Sequence, residues 1–185
     1  MGADIDGDPS FNVNFGSVVK LSNDGTMLVV ADTFSKSQAG SVEIYNWNES
    51  NAEWEHKTQL KTYFGSGPNN SHRYNFGEDI SISKDKRILV IGEYNYKGVG
   101  KAHVYVKNNS GNWSTSELFL QGTGNSKTFG GNLSLSDNGN TLVASATGHR
   151  NNGVNSGMAG VYHLNLCSSL ENFEVFNGAN LLTYA

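Results

Sequence analysis

The chain has one cysteine, Cys167, and two prolines among its 185 residues. A lone cysteine excludes an intrachain disulfide, so cysteine usage fixes no compartment. Scarce proline argues against collagen-like and proline-rich low-complexity structure. No stretch approaches the roughly 18 apolar residues of a transmembrane helix. Met1 leads into Gly2-Ala3-Asp4 rather than into the basic and then apolar regions of a secretory leader. Helix-favouring runs of Ala, Leu, Glu and Lys are sparse, which leaves strands as the main building material. Lys and Arg total 13 against 17 Asp and Glu, a formal net charge of -4, and the basic residues do not cluster. Such a surface lacks the footprint that attracts phosphate backbones or anionic lipid, so nucleic acid and membrane insertion are not expected.

Present instead are 22 glycines and an aromatic content of 11%, a balance that suits short strands joined by turns. One segment occurs three times: Phe15-Gly16-Ser17-Val18-Val19-Lys20-Leu21-Ser22, Phe76-Gly77-Glu78-Asp79-Ile80-Ser81-Ile82-Ser83 and Phe129-Gly130-Gly131-Asn132-Leu133-Ser134-Leu135-Ser136. Each copy runs without a gap into a polar turn (Asn23-Asp24-Gly25, Lys84-Asp85-Lys86, Asp137-Asn138-Gly139) and then into Leu28-Val29-Val30, Leu89-Val90-Ile91 or Leu142-Val143-Ala144. After a loop of variable length a second block follows, from Ala39-Gly40 to Tyr45, Val99-Gly100 to Tyr105 and Ser156-Gly157 to Tyr162. Trp54 and Trp113 then open a last apolar-bearing stretch in the first two copies, with Phe173 as a loose substitute in the third.

Each copy reads as four strands. The first alternates with period two, and the second is nearly continuous in apolar residues, as a strand covered on both faces must be. Asp-Gly and Asn-Gly turns join the two as short hairpins. A repeat of about 50 to 60 residues, slightly longer than WD40 and kelch units, predicts an all-β chain of β-propeller blades. We assign residues 1–14 to the outer strand of a preceding blade and a linker, 15–75 to blade 1, 76–128 to blade 2 and 129–165 to blade 3. Residues 166–185 match no repeat and form a cap or the start of a further element, with Leu170, Phe173, Val175, Phe176, Leu181 and Leu182 as its apolar surface. On this reading the chain starts inside a blade, and residues 1–7 are placed to add a fourth strand beside Val161. Leu28, Leu89 and Leu142 are expected at equivalent buried positions. Three blades fall below the four to eight that usually close a ring. The expectation is therefore a partial propeller or part of a larger one, with two open terminal faces bearing Val19, Leu21, Leu133 and Leu135.

The order Phe-Gly, Leu-Ser or Ile-Ser, Asp-Gly, a Leu-Val strand, a loop, Gly and Val-Tyr, then Trp resembles the FG-GAP-like propeller repeats, over about residues 1 to 165. It is especially similar to their tandem form in large secreted or cell-surface proteins. The resemblance implies an extracellular or cell-surface, adhesive or architectural protein that is not an enzyme. Its partners would be other protein chains or further repeats of the same protein. The chain departs from the pattern after the second strand, where Ala31-Asp32-Thr33, Gly92-Glu93-Tyr94 and Ser145-Ala146-Thr147 replace the usual Gly-Ala-Pro. The calcium loops of integrin FG-GAP repeats do not carry over, because loops 32–39, 93–99 and 146–156 hold too few carboxylates.

Candidate chemistry is correspondingly thin. Asp4, Asp6 and Asp8 have the alternation of a calcium loop but no downstream Glu to complete it. His56, His72, His103, His149 and His163 lack the spacing of a zinc site. A propeller glycosidase needs arginines gathered at its axis, and Arg73, Arg87 and Arg150 sit in a turn and two loops. Ser22-Asn23-Asp24-Gly25 resembles the aspartate box of such enzymes but lacks its locking aromatic. No catalytic residue, metal or cofactor is assigned. Phe34, Tyr94, Tyr96 and His149 are the binding candidates on exposed loops, and aromatics there suit sugar rings, so a carbohydrate-binding propeller is the alternative reading. Sequons at Asn48, Asn69, Asn108 and Asn112 offer glycosylation sites, while a fifth at Asn132 falls on an inner strand expected to hide it.

Overall fold

The first two strands of each repeat are joined by one turn, built three times from a serine and an Asp or Asn two residues on. Ser22 Oγ donates to Asp24 Oδ1 at 2.7 Å and accepts the Met27 N–H at 2.9 Å, while Asp24 Oδ1 also accepts the Thr26 N–H. Ser83 and Asp85 repeat this around Ile88, and Ser136 and Asn138 around Thr141. The third turn residue needs a positive φ, which Gly25 (72°) and Gly139 (74°) supply freely and Lys86 (60°) supplies under strain. Lys86 is held there by its ammonium, 2.5 Å from Asp24 Oδ2 and 2.7 Å from Thr26 Oγ1 of the preceding repeat.

The computed structural model describes residues 4–7, 14–34, 39–61, 74–114, 118–124, 126–150, 153, 156–165, 174–177 and 180–183. They form an all-β chain of three antiparallel sheets. The first contains β1 (Phe15–Leu21), β2 (Met27–Asp32), β3 (Ser41–Asn48) and β4 (Glu53–Lys61) in that order. The second contains β5 (Phe76–Ile82), β6 (Ile88–Glu93), β7 (Lys101–Val106) and β8 (Phe119–Gln121). In the third, β9 (Ser126–Leu135), β10 (Thr141–His149), β11 (Met158–Asn165), β12 (Glu174–Asn177) and β13 (Asn180–Thr183) follow one another. The outer partner of β11 is therefore β12, which answers Tyr162 with Asn177, and not residues 4–7, which lie in no strand. Leu170 and Phe173 lie outside the described residues.

Packing follows the repeat. One face of the first sheet (Met27, Val29, Ala31, Val42, Ile44) closes on the near face of the second (Phe76, Ile80, Leu89, Ile91). The far face of the second sheet (Ile88, Val90, Ala102, Val104) closes in the same way on the third (Phe129, Leu133, Leu142, Ala144). All six residues of β6 are buried because both its faces are covered, whereas β10 alternates because, among the described residues, one face has no sheet against it.

Three expectations are corrected by this arrangement. Leu28 is only half-buried, since its face of β2 points away from the second sheet, while Leu89 and Leu142 are fully buried. Leu133 is buried and Leu135 half-buried against the second sheet, so the open faces carry Val19 (58% exposed) and Leu21 (58%) at one end and Val161 (51%) at the other. Asn132 is exposed, because the side of β9 that carries it is the uncovered one.

The Phe-Gly pairs explain how the sheets are joined. Phe76 N–H donates to Ala39 O at 3.1 Å, and Phe129 N–H donates to Val99 O at 3.0 Å. Next to these acceptors, Gly40 and Gly100 run so close that a Cβ on either would lie 2.2 Å from the carbonyl oxygen of Phe76 or Phe129. Only glycine permits that approach.

Candidate functional site

Apart from Ser22 and Ser83 in the hairpin turns, the buried polar side chains gather at one end of the sheets, where each second strand ends and its loop begins. Asp32 ends β2 and is buried; its Oδ1 accepts the N–H of Asn14 at 3.0 Å and of Phe34 at 3.1 Å. Ser17 Oγ donates to Ala31 O and accepts the Thr33 N–H. A carboxylate at this place thus ties the chain entering β1 to the loop leaving β2, which fixes the root of the loop that carries Phe34.

The second sheet carries the densest cluster. Glu93 ends β6 and is fully buried; its Oε2 lies 2.7 Å from Nε2 of His103, also buried. The His103 ring sits edge-on to Phe76 (centroids 5.3 Å apart) and stacks with Tyr105 at 6.4 Å. Burial, and then the charge of Glu93, push the Tyr105 phenol well above its ordinary range. Lys101 is the cross-strand partner of Glu93, and its buried ammonium lies 3.6 Å from the Phe119 ring centroid and 4.6 Å from that of Tyr96. Such cation–π seating offsets part of the cost of taking an ammonium out of water. The cluster holds together the ends of β6, β7 and β8 and the short 3-10 turn Tyr96–Gly98.

The sequence candidates fall around this end but not on one surface. Phe34 and Tyr94 are half-buried at the roots of the loops after β2 and β6. Tyr96 and His149 are buried, not exposed as expected: Tyr96 turns inward over Lys101, and His149 closes β10 with its carbonyl accepting from Gly157 N–H and Ser156 Oγ. Of the sequons, Asn112 is exposed, Asn48 and Asn108 are half-buried with their Oδ1 atoms holding turns, and Asn69 lies outside the described residues. Asp4 and Asp6 are exposed and Asp8 lies outside. Among the described residues no group of three or more His, Cys, Asp or Glu is placed to hold a metal. Glu93, Lys101 and His103 were missed in the sequence, although a carboxylate closing an apolar run and a lysine and a histidine alternating on one strand face were visible signals.

The fold and this polar end define a class: an all-β, repeat-built stack of antiparallel sheets with variable loops rooted beside buried polar side chains. No protein-family model matches the chain, and no curated protein matches its sequence. Among solved structures it is similar to a hypothetical selenium-binding protein from Sulfolobus tokodaii, with a TM-score of 0.53 and 13% identity. That likeness covers 90% of this chain and 39% of the other, so the chain spans well under half of its neighbour's length. At such identity the likeness concerns the fold alone.

Proposed function

We propose that the three sheets are blades of a β-propeller and that the chain is a non-enzymatic interaction module, extracellular or at the cell surface, serving adhesion or architecture. One observation carries the reading. Consecutive sheets are joined by the same Phe-to-glycine contact, and at the loop end Asp32 and Ser17 hold the backbone at the root of the loop after β2 while Glu93 pairs with His103 beneath the loop after β6. A scaffold held constant beneath loops of different length and composition is the usual design of a recognition surface. The extracellular setting and the protein partners rest on the resemblance to FG-GAP-like repeats.

The test is binding of the labelled chain to intact cells of its source and, in parallel, to a glycan array. The expected result is saturable binding to cells that is lost after protease treatment of their surface and weakened by Phe34→Ala or Tyr94→Ala. Saturable binding to one class of sugar, abolished by Tyr94→Ala, would instead make the chain a carbohydrate-binding propeller. Binding to neither surface would overturn both readings.

A further inference from the structure

The contact that joins one sheet to the next leaves half of itself unused on the outer sides of the first and third sheets. Gly77 and Gly130, the glycines of the second and third Phe-Gly pairs, are closed in: a Cβ on Gly77 would lie 2.8 Å from Ala31 Cβ, and one on Gly130 would lie 2.4 Å from Lys101 O. Gly16 has the same positive φ (85°) with nothing within 4 Å. At the other end, Gly157 stands where Gly40 and Gly100 stand in the earlier repeats and shares their positive φ, yet a Cβ there would meet nothing nearer than Thr147 O at 3.8 Å. Both open positions thus hold the backbone geometry of a joint that the chain completes twice elsewhere.

The apolar residues agree. Val19 stands at the position of Ile80 and Leu133, which are 1% and 9% exposed, but is itself 58% exposed. Val161 stands at the position of Ile44 and Val104, both 1% exposed, but is itself 51% exposed. The polar groups agree as well. Across the joint between the second and third sheets, Asp79 Oδ2 accepts the Leu133 N–H at 2.7 Å and Ser81 Oγ accepts the Leu135 N–H at 2.9 Å. Asn132 and Ser134, which stand at the positions of Asp79 and Ser81 in the third sheet, are exposed. By the shared register, the N–H groups of Val19 and Leu21 are the donors at matching places on the edge of β1.

We propose that the outer face of the third sheet is a docking surface for the outer face of the first sheet of a second copy of this chain. The association is head-to-tail, with Phe15 N–H donating to Ser156 O and Gly157 lying against Phe15. It rests on the repeat geometry underlying the proposed function but not on any loop ligand. A second copy fits because this chain carries both halves of the joint, and the register of the two completed joints dictates the pairing. The interface is heterologous, so it closes a ring or grows, and never pairs two like faces. Thr141 and Ser145 on the docking face replace Met27 and Ala31 of the first sheet, so the new joint is weaker than the internal ones and depends on concentration.

Sedimentation across a concentration series tests it, beginning with the unaltered chain of 20.0 kDa. The expected mass rises from one chain toward two and more. Val19→Asp and Val161→Asp, each on an exposed face and checked for unchanged melting, each stop this rise, whereas an equimolar mixture of the two forms a dimer and nothing larger. Gly157→Ala weakens association without placing a charge. A chain that stays monomeric at every concentration overturns the proposal, and so does a mixture that stays monomeric. Val161→Asp alone still dimerising would show like faces pairing and would overturn it too. Cell binding by a chain that does not associate would leave the proposed function standing, which keeps the two failures apart.

Discussion

At the scale of single residues, the serine that starts each turn carries more than its size suggests. Ser83 is buried, donates to Asp85 and accepts the Ile88 N–H, so Ser83→Ala leaves a buried amide without its acceptor. The expected cost is about 1–3 kcal/mol by urea unfolding. Ser136 is less buried, and Ser136→Ala is expected to cost less. Leucines at one repeat position separate in the same way. Leu89→Ala and Leu142→Ala each open a cavity between sheets and are expected to cost about 2–5 kcal/mol, whereas Leu28→Ala, on the open face, falls clearly below them. Equal losses at all three would contradict the open face. A charge effect adds to this at low pH. The Lys86 ammonium, foremost, holds the Asp24 carboxyl well below the ordinary aspartate range. A depressed folded-state pKa gives stability that is present above about pH 4 and is lost as pH falls below it. Asp24 is exposed, so the effect is small; Lys86→Ala is expected to flatten the acid limb of a stability profile between about pH 4 and 2.

Elements show why some features were legible in the sequence and others were not. The hairpin turns, the alternation of the first strands and the apolar run of β6 recur in register, and repetition exposes them. What occurs once stays hidden. Glu93 is matched by Asp32 and Ala146 in the other repeats, Lys101 by Ser41 and Met158, and His103 by Glu43 and Gly160, so no comparison between copies marks the cluster. Tyr96 and His149 were read as exposed because loop aromatics usually are, but the short turn after Asn95 folds Tyr96 back over Lys101. Burial at the ends was misassigned because sequence shows which residues alternate, not which face has a neighbour. The glycines, read only as turn signals, are joints. Gly100→Ala combines a left-handed backbone, about 1–2 kcal/mol, with overpacking against Phe129, about 1–3 kcal/mol more. Gly16→Ala in the unassociated chain carries only the backbone part, and thermal unfolding of the two variants separates the joint from the turn.

At the scale of the whole molecule, a stack in which each sheet touches only its neighbours behaves as a short one-dimensional array, whose middle unit is stabilised from both sides. The second sheet occupies that place, and β6 is its most enclosed strand. Hydrogen exchange at low protein concentration is therefore expected to be slowest at Leu89, Val90 and Ile91 and faster at the equivalent Leu28, Val29 and Val30 and at Leu142, Val143 and Ala144, since local opening at either end breaks one interface rather than two. Edge strands sharpen the contrast. The N–H groups of Leu133 and Leu135 lie on the free edge of β9 yet are held by Asp79 and Ser81, so they exchange slowly for edge amides. Val19 and Leu21 occupy the same register on β1, where no sheet of the described residues packs to hold them, and they are expected to exchange fast. Raising the protein concentration adds the missing neighbour and slows those two amides before any others. Uniform protection across the three sheets would mean that the stack unfolds as one unit, and a first or third sheet slower than the second would contradict the packing order itself.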